Sequence, residues 1–340
     1  MSSTGQVGDF DAAMRLAIEQ AQHVKGSTYP NPPVGAVIID RDGSVVGVGG
    51  TRPAGEAHAE VVALRRAGDL SAGGTAVVTL EPCNHHGQTP PCVDALLAAG
   101  VTQVVYAVDD PHPAAGGGAR RLAEAGVRVI SGVQAEAVTT GPLREWLHKQ
   151  RTGQPHVTWK YASSIDGRSA AVDGSSQWIS SEASRADLHR RRAAADAIVV
   201  GTGTVVADDP TLTARLPDGT LAPRQPLRVV VGERDISPAA RVLNDDSPTM
   251  VIRTHDPAEV LRALADRTDV LLEGGPTLAG AFLRAGAIDR IVAYVAPILL
   301  GGPVTAVDDV GVHTISAALR WRYDGIEKIG PDLLVSLVAQ

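Results

Sequence analysis

Residues 75–108 read TAVVTLEPCNHHGQTPPCVDALLAAGVTQVVYAV. The β-branched run over 75–81 predicts a strand, and the run over 103–108 predicts another. Between them, the helix predicted over 91–99 begins just after Thr-Pro-Pro. Two strands joined by a helix-length crossover pair in parallel, with helices covering the sheet.

Outward from this unit the same logic repeats. DFDAAMRLAIEQAQHVKG (9–26) has apolar residues at helical spacing, acids in its first turn and Gly26 as a stop. VGAVIID (34–40) and SVVGVGG (44–50) are strands joined by Arg-Asp-Gly, a hairpin. A helix over 58–68 precedes the quoted stretch; a helix over 117–125 and a strand over 127–131 follow it. The alternation pauses between about 133 and 155, where GPLREWLHKQRTGQPH (141–156) reads as a short helix entering a polar hinge. A second α/β series then begins. Its strands fall near 156–161, 197–201, 227–231, 249–252, 269–273 and 290–295, and its helices near 182–195, 257–266 and 276–285. Two α/β domains in tandem are expected, 1–150 and 151–340.

Bulk properties fit that division. A chain of 340 residues exceeds what one core usually needs. Its formal charge of −7 and 3% aromatic content give no basic or stacking footprint for a nucleic-acid partner. No apolar run reaches a membrane-spanning length, and MSSTGQVGDFDAAM (1–14) lacks the basic and apolar regions of a secretion signal. A cytoplasmic protein is expected, with no membrane partner.

The two cysteines, Cys83 and Cys92, both lie in the opening stretch. Cys83 follows a strand and Cys92 begins a helix, while His58 and Glu60 fall at the start of another helix. Three N/S ligands with one open position describe a catalytic zinc site, whereas a structural site wants four. Zinc lowers the pKa of water to about 7, and Glu60, beside a ligand but free of the metal, can accept and return its proton. Either pattern alone is ordinary in a soluble domain; together they match the H-x-E…P-C signature of zinc deaminases. Here eight residues separate the cysteines instead of two.

That longer spacing resembles the bifunctional riboflavin-biosynthesis deaminase/reductase family, as do YPNPPVGAVI, GEAHAEVVALRRAG and AVDDPHP. KYASSIDGRSA, GSSQWIS, GTGTVVADDPTLTAR and LLEGGPTLAGAFLRAG extend the resemblance over nearly the whole chain. The resemblance implies a cytidine-deaminase-like α/β/α domain followed by a dihydrofolate-reductase-like α/β domain. It implies two reactions on a small phosphorylated pyrimidine: zinc-dependent loss of the 2-amino group, then NADPH-dependent reduction of ribosyl to ribityl. His58, Cys83 and Cys92 would hold zinc, Glu60 would shuttle the proton, and Asn31, His85 and Asp110 would contact substrate. Ala162, Ser169, Trp178, Thr204, Asp208 and the stretch Gly275, Pro276, Thr277, Leu278, Ala279, Gly280 and Ala281 would line the NADPH site. Lys160, Ser176, Arg192, Leu212, Arg215 and Glu273 would contact the second substrate. A homo-oligomer, simplest as a dimer, is also implied.

Three positions depart from many members: Thr51 where a His is common, Gln88 where a Lys or Arg is common, and His112 where an Asn is common. Without a charge at 88, the phosphate loses one charge-assisted contact. Read from the residues alone, the second domain offers less. No G-x-G-x-x-G occurs in 155–340, so a Rossmann site is not supported. DVLLEGGPTLAGAF (269–282) is a strand, two glycines and a helix start, suited to a phosphate. RADLHRRRAAADA (185–197) reads as a solvated charged helix face, and core packing is the alternative to a place in the NADPH site for Trp178. Two other functions compete: a nucleic-acid base deaminase, which leaves the second domain unexplained, and a degenerate scaffold, which leaves the intact zinc donors unexplained.

Overall fold

In the computed structural model, which describes residues 7–112 and 115–340, the chain divides into two units between Gly153 and Gln154. Pro113 of AVDDPHP lies outside the described residues, as do residues 1–6 on which the reading of the N-terminus partly rests.

The first unit runs α1 (Val7–Val24), β1 (Gly35–Ile39), β2 (Val45–Gly50), α2 (Ala59–Ala67), β3 (Thr75–Leu80), α3 (Cys92–Ala98) and β4 (Gln103–Val108). It continues through α4 (Gly118–Glu124), β5 (Arg128–Ser131), α5 (Ala135–Thr139) and α6 (Arg144–Thr152). Among the described residues its sheet has the order β2-β1-β3-β4-β5. β1 is antiparallel to both neighbours, and β3, β4 and β5 are parallel. Val77, Val78, Val104 and Val105 are fully buried, as expected for central strands covered on both faces.

Glycines set how closely the helices approach. A Cβ on Gly35 would fall 1.8 Å from the Ala17 carbonyl oxygen of α1. On β2 the alternation is explicit: a Cβ on Gly50 would meet Val24 of α1, and one on Gly49 would lie 2.5 Å from the Ala59 carbonyl of α2. Successive strand residues face opposite ways, so α1 and α2 cover opposite sheet faces at backbone contact. This seats the first turn of α2, with His58 and Glu60, against the sheet.

The second unit runs β6 (His156–Ser164), α7 (Glu182–Ala194), β7 (Ala197–Gly201), α8 (Thr202–Asp208), β8 (Leu227–Val231), β9 (Thr249–Ile252) and α9 (Pro257–Ala263). It ends with β10 (Asp269–Leu272), α10 (Pro276–Arg284), β11 (Arg290–Ala296), β12 (Trp321–Ile329) and β13 (Asp332–Ala339). Among the described residues the sheet order is β12-β13-β11-β6-β10-β7-β8-β9. Strands from β11 through β9 are mutually parallel, and β13 and β12 pair antiparallel at one edge.

Four of these elements go beyond the sequence reading: α5, α8 and the two strands of the β12–β13 hairpin. β12 (WRYDGIEKI) is largely exposed and has a register shift between Tyr323 and Gly325. Its charges and internal Asp-Gly break the alternation that marks a strand, so its pairing comes from β13 rather than from local pattern. The five-residue α5 is too short to show a helical period, and α8 (TGTVVAD) is built of Gly and β-branched residues that favour helices poorly.

Candidate functional site

The parallel strands of the first unit end at one edge, and the site is built there. Cys83 and His85 follow β3, and Asp110 follows β4. β1 is antiparallel to β3, with Ala36 opposite Val78, and Gly35 N–H donates to Thr79 Oγ1 at 3.1 Å. The segment entering β1, with Asn31, therefore arrives at this same edge, as does the segment leaving β2 toward His58. Ligand sites in open α/β sheets form at such carboxyl ends.

His58 is the N-cap of α2, but its side chain makes no capping bond. Its Nδ1 lies 3.6 Å from Cys83 Sγ and 3.3 Å from Cys92 Sγ. Tetrahedral zinc with ordinary Zn–S and Zn–N lengths separates N and S by about 3.6 Å. The three donors, all within 4.8 Å of one another and with N–S separations of 3.6 and 3.3 Å, are grouped as the ion needs them. His58 Nε2 faces Thr89 Oγ1 at 3.4 Å, a partner that fixes the ring with Nδ1 toward the sulfurs. The Cys92 N–H donates to Cys83 Sγ at 3.4 Å.

The two thiols share a proton unequally. The hydrogen bond from Cys92, with help from His58, lowers Cys83 to about 4. The same bond, with burial, pushes Cys92 above the ordinary thiol range. The hydrogen bond to Cys83 raises His58 despite burial. Glu60, in the first turn of α2, is buried; burial and then the Cys83 charge raise it to about 7.

The remaining sequence candidates occupy distinct environments. Asn31 is half-buried in a turn, where its carbonyl accepts from Thr28 Oγ1. His85 has a buried Nδ1 with no protein partner. Burial raises Asp110, whose Oδ1 accepts from His112 N–H. Thr51 is buried and bonds Val34 N–H and carbonyl through Oγ1, so it braces the β1–β2 hairpin. Gln88 is exposed beside Gly55.

In the second unit, a cleft of about 1320 Å³ opens at the carboxyl ends of β6, β7, β8 and β10. That exceeds the ~300–1,000 Å³ of a typical single-ligand site, leaving room for a cofactor and a substrate. Lys160, Ser176, Arg192, Leu212, Arg215 and Glu273 all line it. So do Ala162, Ser169, Trp178, Thr204 and Asp208. Of the stretch 275–281, Gly275, Pro276, Thr277, Leu278 and Ala281 face the cleft. Ala279 and Gly280 do not: Ala279 is in the core, and a Cβ on Gly280 would point at the Asp309 carbonyl. The stretch is helical, so its residues cannot all share one face.

The start of α10 suits a phosphate. Its N-cap Gly275 brings no capping side chain, and the nearest atom to a Cβ there is Thr204 Oγ1 at 3.5 Å. The space beside Gly203 is also open. Backbone can therefore approach a dinucleotide closely at both places.

One buried ion pair lies beneath this cleft. Arg192 binds Glu273 through two bonds of 2.7 and 2.8 Å. Burial opposes both charges, but their attraction prevails, holding Glu273 below and Arg192 above their usual ranges. Lys160 lies 5.7 Å over the Tyr294 ring, and burial lowers it. Asp187 accepts from Tyr294 and Arg191, so the charged face of α7 is an ordered network rather than the solvated surface its sequence suggests. Trp178 is 68% exposed, which excludes core packing; Arg185 stacks over it at 4.6 Å. Leu212 adopts φ 51, a strained conformation for a side chain with a Cβ. His189, which sequence reasoning missed, also lines the cleft.

A three-residue cluster suited to a metal in the first unit and a nucleotide-sized cleft in the second are the arrangement a bifunctional deaminase–reductase requires. Residues 9–108 match the cytidine and deoxycytidylate deaminase zinc-binding region, and residues 155–335 match the RibD C-terminal domain. The riboflavin biosynthesis protein RibD of Mycobacterium tuberculosis is 75% identical over 98% of this chain and 99% of its own length. The Acinetobacter baumannii RibD structure, 35% identical, covers 98% of this chain and 100% of its own with a TM-score of 0.88. A Thermotoga maritima structure, 31% identical and covering 98% and 99%, has a TM-score of 0.89. It is described as a diaminohydroxyphosphoribosylaminopyrimidine deaminase/5-amino-6-(5-phosphoribosylamino)uracil reductase. This chain belongs to the RibD family: it is a riboflavin-biosynthesis enzyme with deaminase and reductase activities, using zinc and NADPH. No described helix is long and apolar enough to cross a membrane.

Proposed function

We propose that residues 1–150 deaminate 2,5-diamino-6-ribosylamino-4(3H)-pyrimidinone 5′-phosphate and that residues 151–340 reduce the ribosyl chain of the product. The observation that carries the first half is the convergence of His58, Cys83 and Cys92 on one point beside buried Glu60. These three residues would hold zinc, which when bound supplies a Lewis acid that makes water nucleophilic near neutral pH. The Glu60 carboxylate takes the proton from the attacking water and returns it to the leaving amine. Asn31, His85 and Asp110 orient the pyrimidine at the strand ends.

In the second half, NADPH supplies hydride and the chain supplies position. Gly275 and the start of α10 take the dinucleotide phosphates, with Trp178, Thr204 and Asp208 along the same wall. Arg192 and Arg215 hold the substrate phosphate, Lys160 lies beside the sugar, and Ser176, Leu212 and Glu273 complete the wall. The enzyme works in the cytoplasm as a homo-oligomer, on the family resemblance.

Elemental analysis tests the metal assignment. Wild-type protein should carry one zinc per chain, and Cys83→Ser should lose most of it, because a hydroxyl is a poor replacement for thiolate. Unchanged zinc in Cys83→Ser would show that the ion sits elsewhere.

A further inference from the structure

The two cysteines sit on separate segments, and one face of α4 touches both. A Cβ on Gly118 would lie 1.8 Å from the Pro82 carbonyl oxygen and 3.1 Å from Val93 Cγ2. Pro82 precedes Cys83, and Val93 follows Cys92. One turn later, Arg121 Nη1 donates to Asn84 Oδ1 at 2.9 Å and Nη2 donates to Asp94 Oδ1 at 2.5 Å. Asn84 follows Cys83, and Asp94 lies two residues beyond Cys92. Gly118 and Arg121, spaced i and i+3 on one helix face, thus contact the neighbours of both cysteines.

The helix is itself anchored to the cysteine strand. Glu81, two residues before Cys83 and buried, accepts N–H bonds from Gly117 at 3.1 Å and Ala119 at 2.9 Å. Its other oxygen accepts from Asp110 N–H at 3.2 Å. The start of α4 and the residues after β4 are therefore tied to the segment that delivers Cys83.

We propose that α4 is the clamp of the zinc site and that Arg121 is its positioning residue. The planar guanidinium bridges two acceptors on different segments and so fixes the Cys83–Cys92 separation that zinc requires. A lysine ammonium offers charge but no fork of that span. Gly118 is needed because no side chain fits between α4 and Pro82. This proposal rests on zinc being held by His58, Cys83 and Cys92.

Zinc release from purified protein to a colorimetric chelator is the direct readout, alongside the visible spectrum of the cobalt-substituted protein. Perturbing groups that orient metal ligands typically costs about 10–100-fold in metal affinity. Arg121→Ala should therefore release zinc at least about tenfold faster and alter the cobalt bands, while NADPH-dependent reduction is unchanged. Arg121→Lys should recover only part of the loss. Should Arg121→Ala fold poorly, Asn84→Ala and Asp94→Ala each remove one arm of the fork and should give intermediate release rates. Wild-type release and an unaltered cobalt spectrum in Arg121→Ala would reduce the contact to a surface ion pair. Lack of zinc in the wild type would instead overturn the assignment of the metal ligands.

Discussion

Glu60→Gln should lose deamination by about 10²–10⁴-fold, the usual cost of removing a general acid/base, while its zinc content stays at the wild-type level. The amide has nearly the same size in a buried position, so packing is preserved. It cannot take up a proton from water and return it to the leaving amine. His58, Cys83 and Cys92 are untouched, so metal binding should persist. NADPH-dependent reduction of the already deaminated ribosylaminouracil phosphate should continue at the wild-type rate, because its cleft is formed by the second unit alone. Both half-reactions are measured on the one variant. Surviving deamination would remove Glu60 from the proton-transfer role, and collapse of both activities would contradict two separable sites.

Glu273→Ala should destabilise the second unit by about 3–5 kcal/mol, the cost of stranding one member of a buried ion pair. The Arg192 and Glu273 side chains are only 13% and 8% exposed, so water screens the pair little. Alanine would leave the guanidinium its bond to the Thr213 carbonyl at 3.1 Å but no counter-charge from position 273. For a unit of this size each kcal/mol moves the unfolding midpoint by about 2–4 °C. Calorimetry should show that shift in the transition of the second unit. Replacing both partners with apolar residues of similar volume should recover much of the stability but not the reductase activity. A loss under about 1 kcal/mol in Glu273→Ala would mean that the pair is not the anchor its geometry describes.

The proposed zinc donors, which the structure brings together, are legible because each lies where a strand ends or a helix begins, and those boundaries have local signatures. Thr89 was within reach of the same reading, since it precedes Pro-Pro-Cys, but its contact with His58 depends on loop conformation. Arg121 carried no signal: an arginine on a short helix looks solvated until the fold brings Asn84 and Asp94 to it. The charged run of α7 misled for the same reason. Its Asp187 is buried because Arg191 and Tyr294 meet it, and Tyr294 is far away in sequence. β12 is hidden in the sequence because it buries little and so needs no apolar alternation, whereas β13 (DLLVSLVA) alternates in burial and carries a readable strand pattern. Within 275–281, five residues line the cleft, but helical geometry turns Ala279 and Gly280 away from it.

The central claim is two consecutive reactions on one chain, and product analysis tests it most directly. The purified zinc-loaded protein is incubated with the diaminopyrimidinone ribotide and NADPH, and ammonia, NADPH consumption and the pyrimidine product are followed together. One ammonia released and one NADPH oxidised per substrate, ending at 5-amino-6-(5-phosphoribitylamino)uracil, is the predicted result. Ammonia release that leaves the ribosyl chain unreduced, or NADPH oxidation without deamination of this substrate, would contradict it.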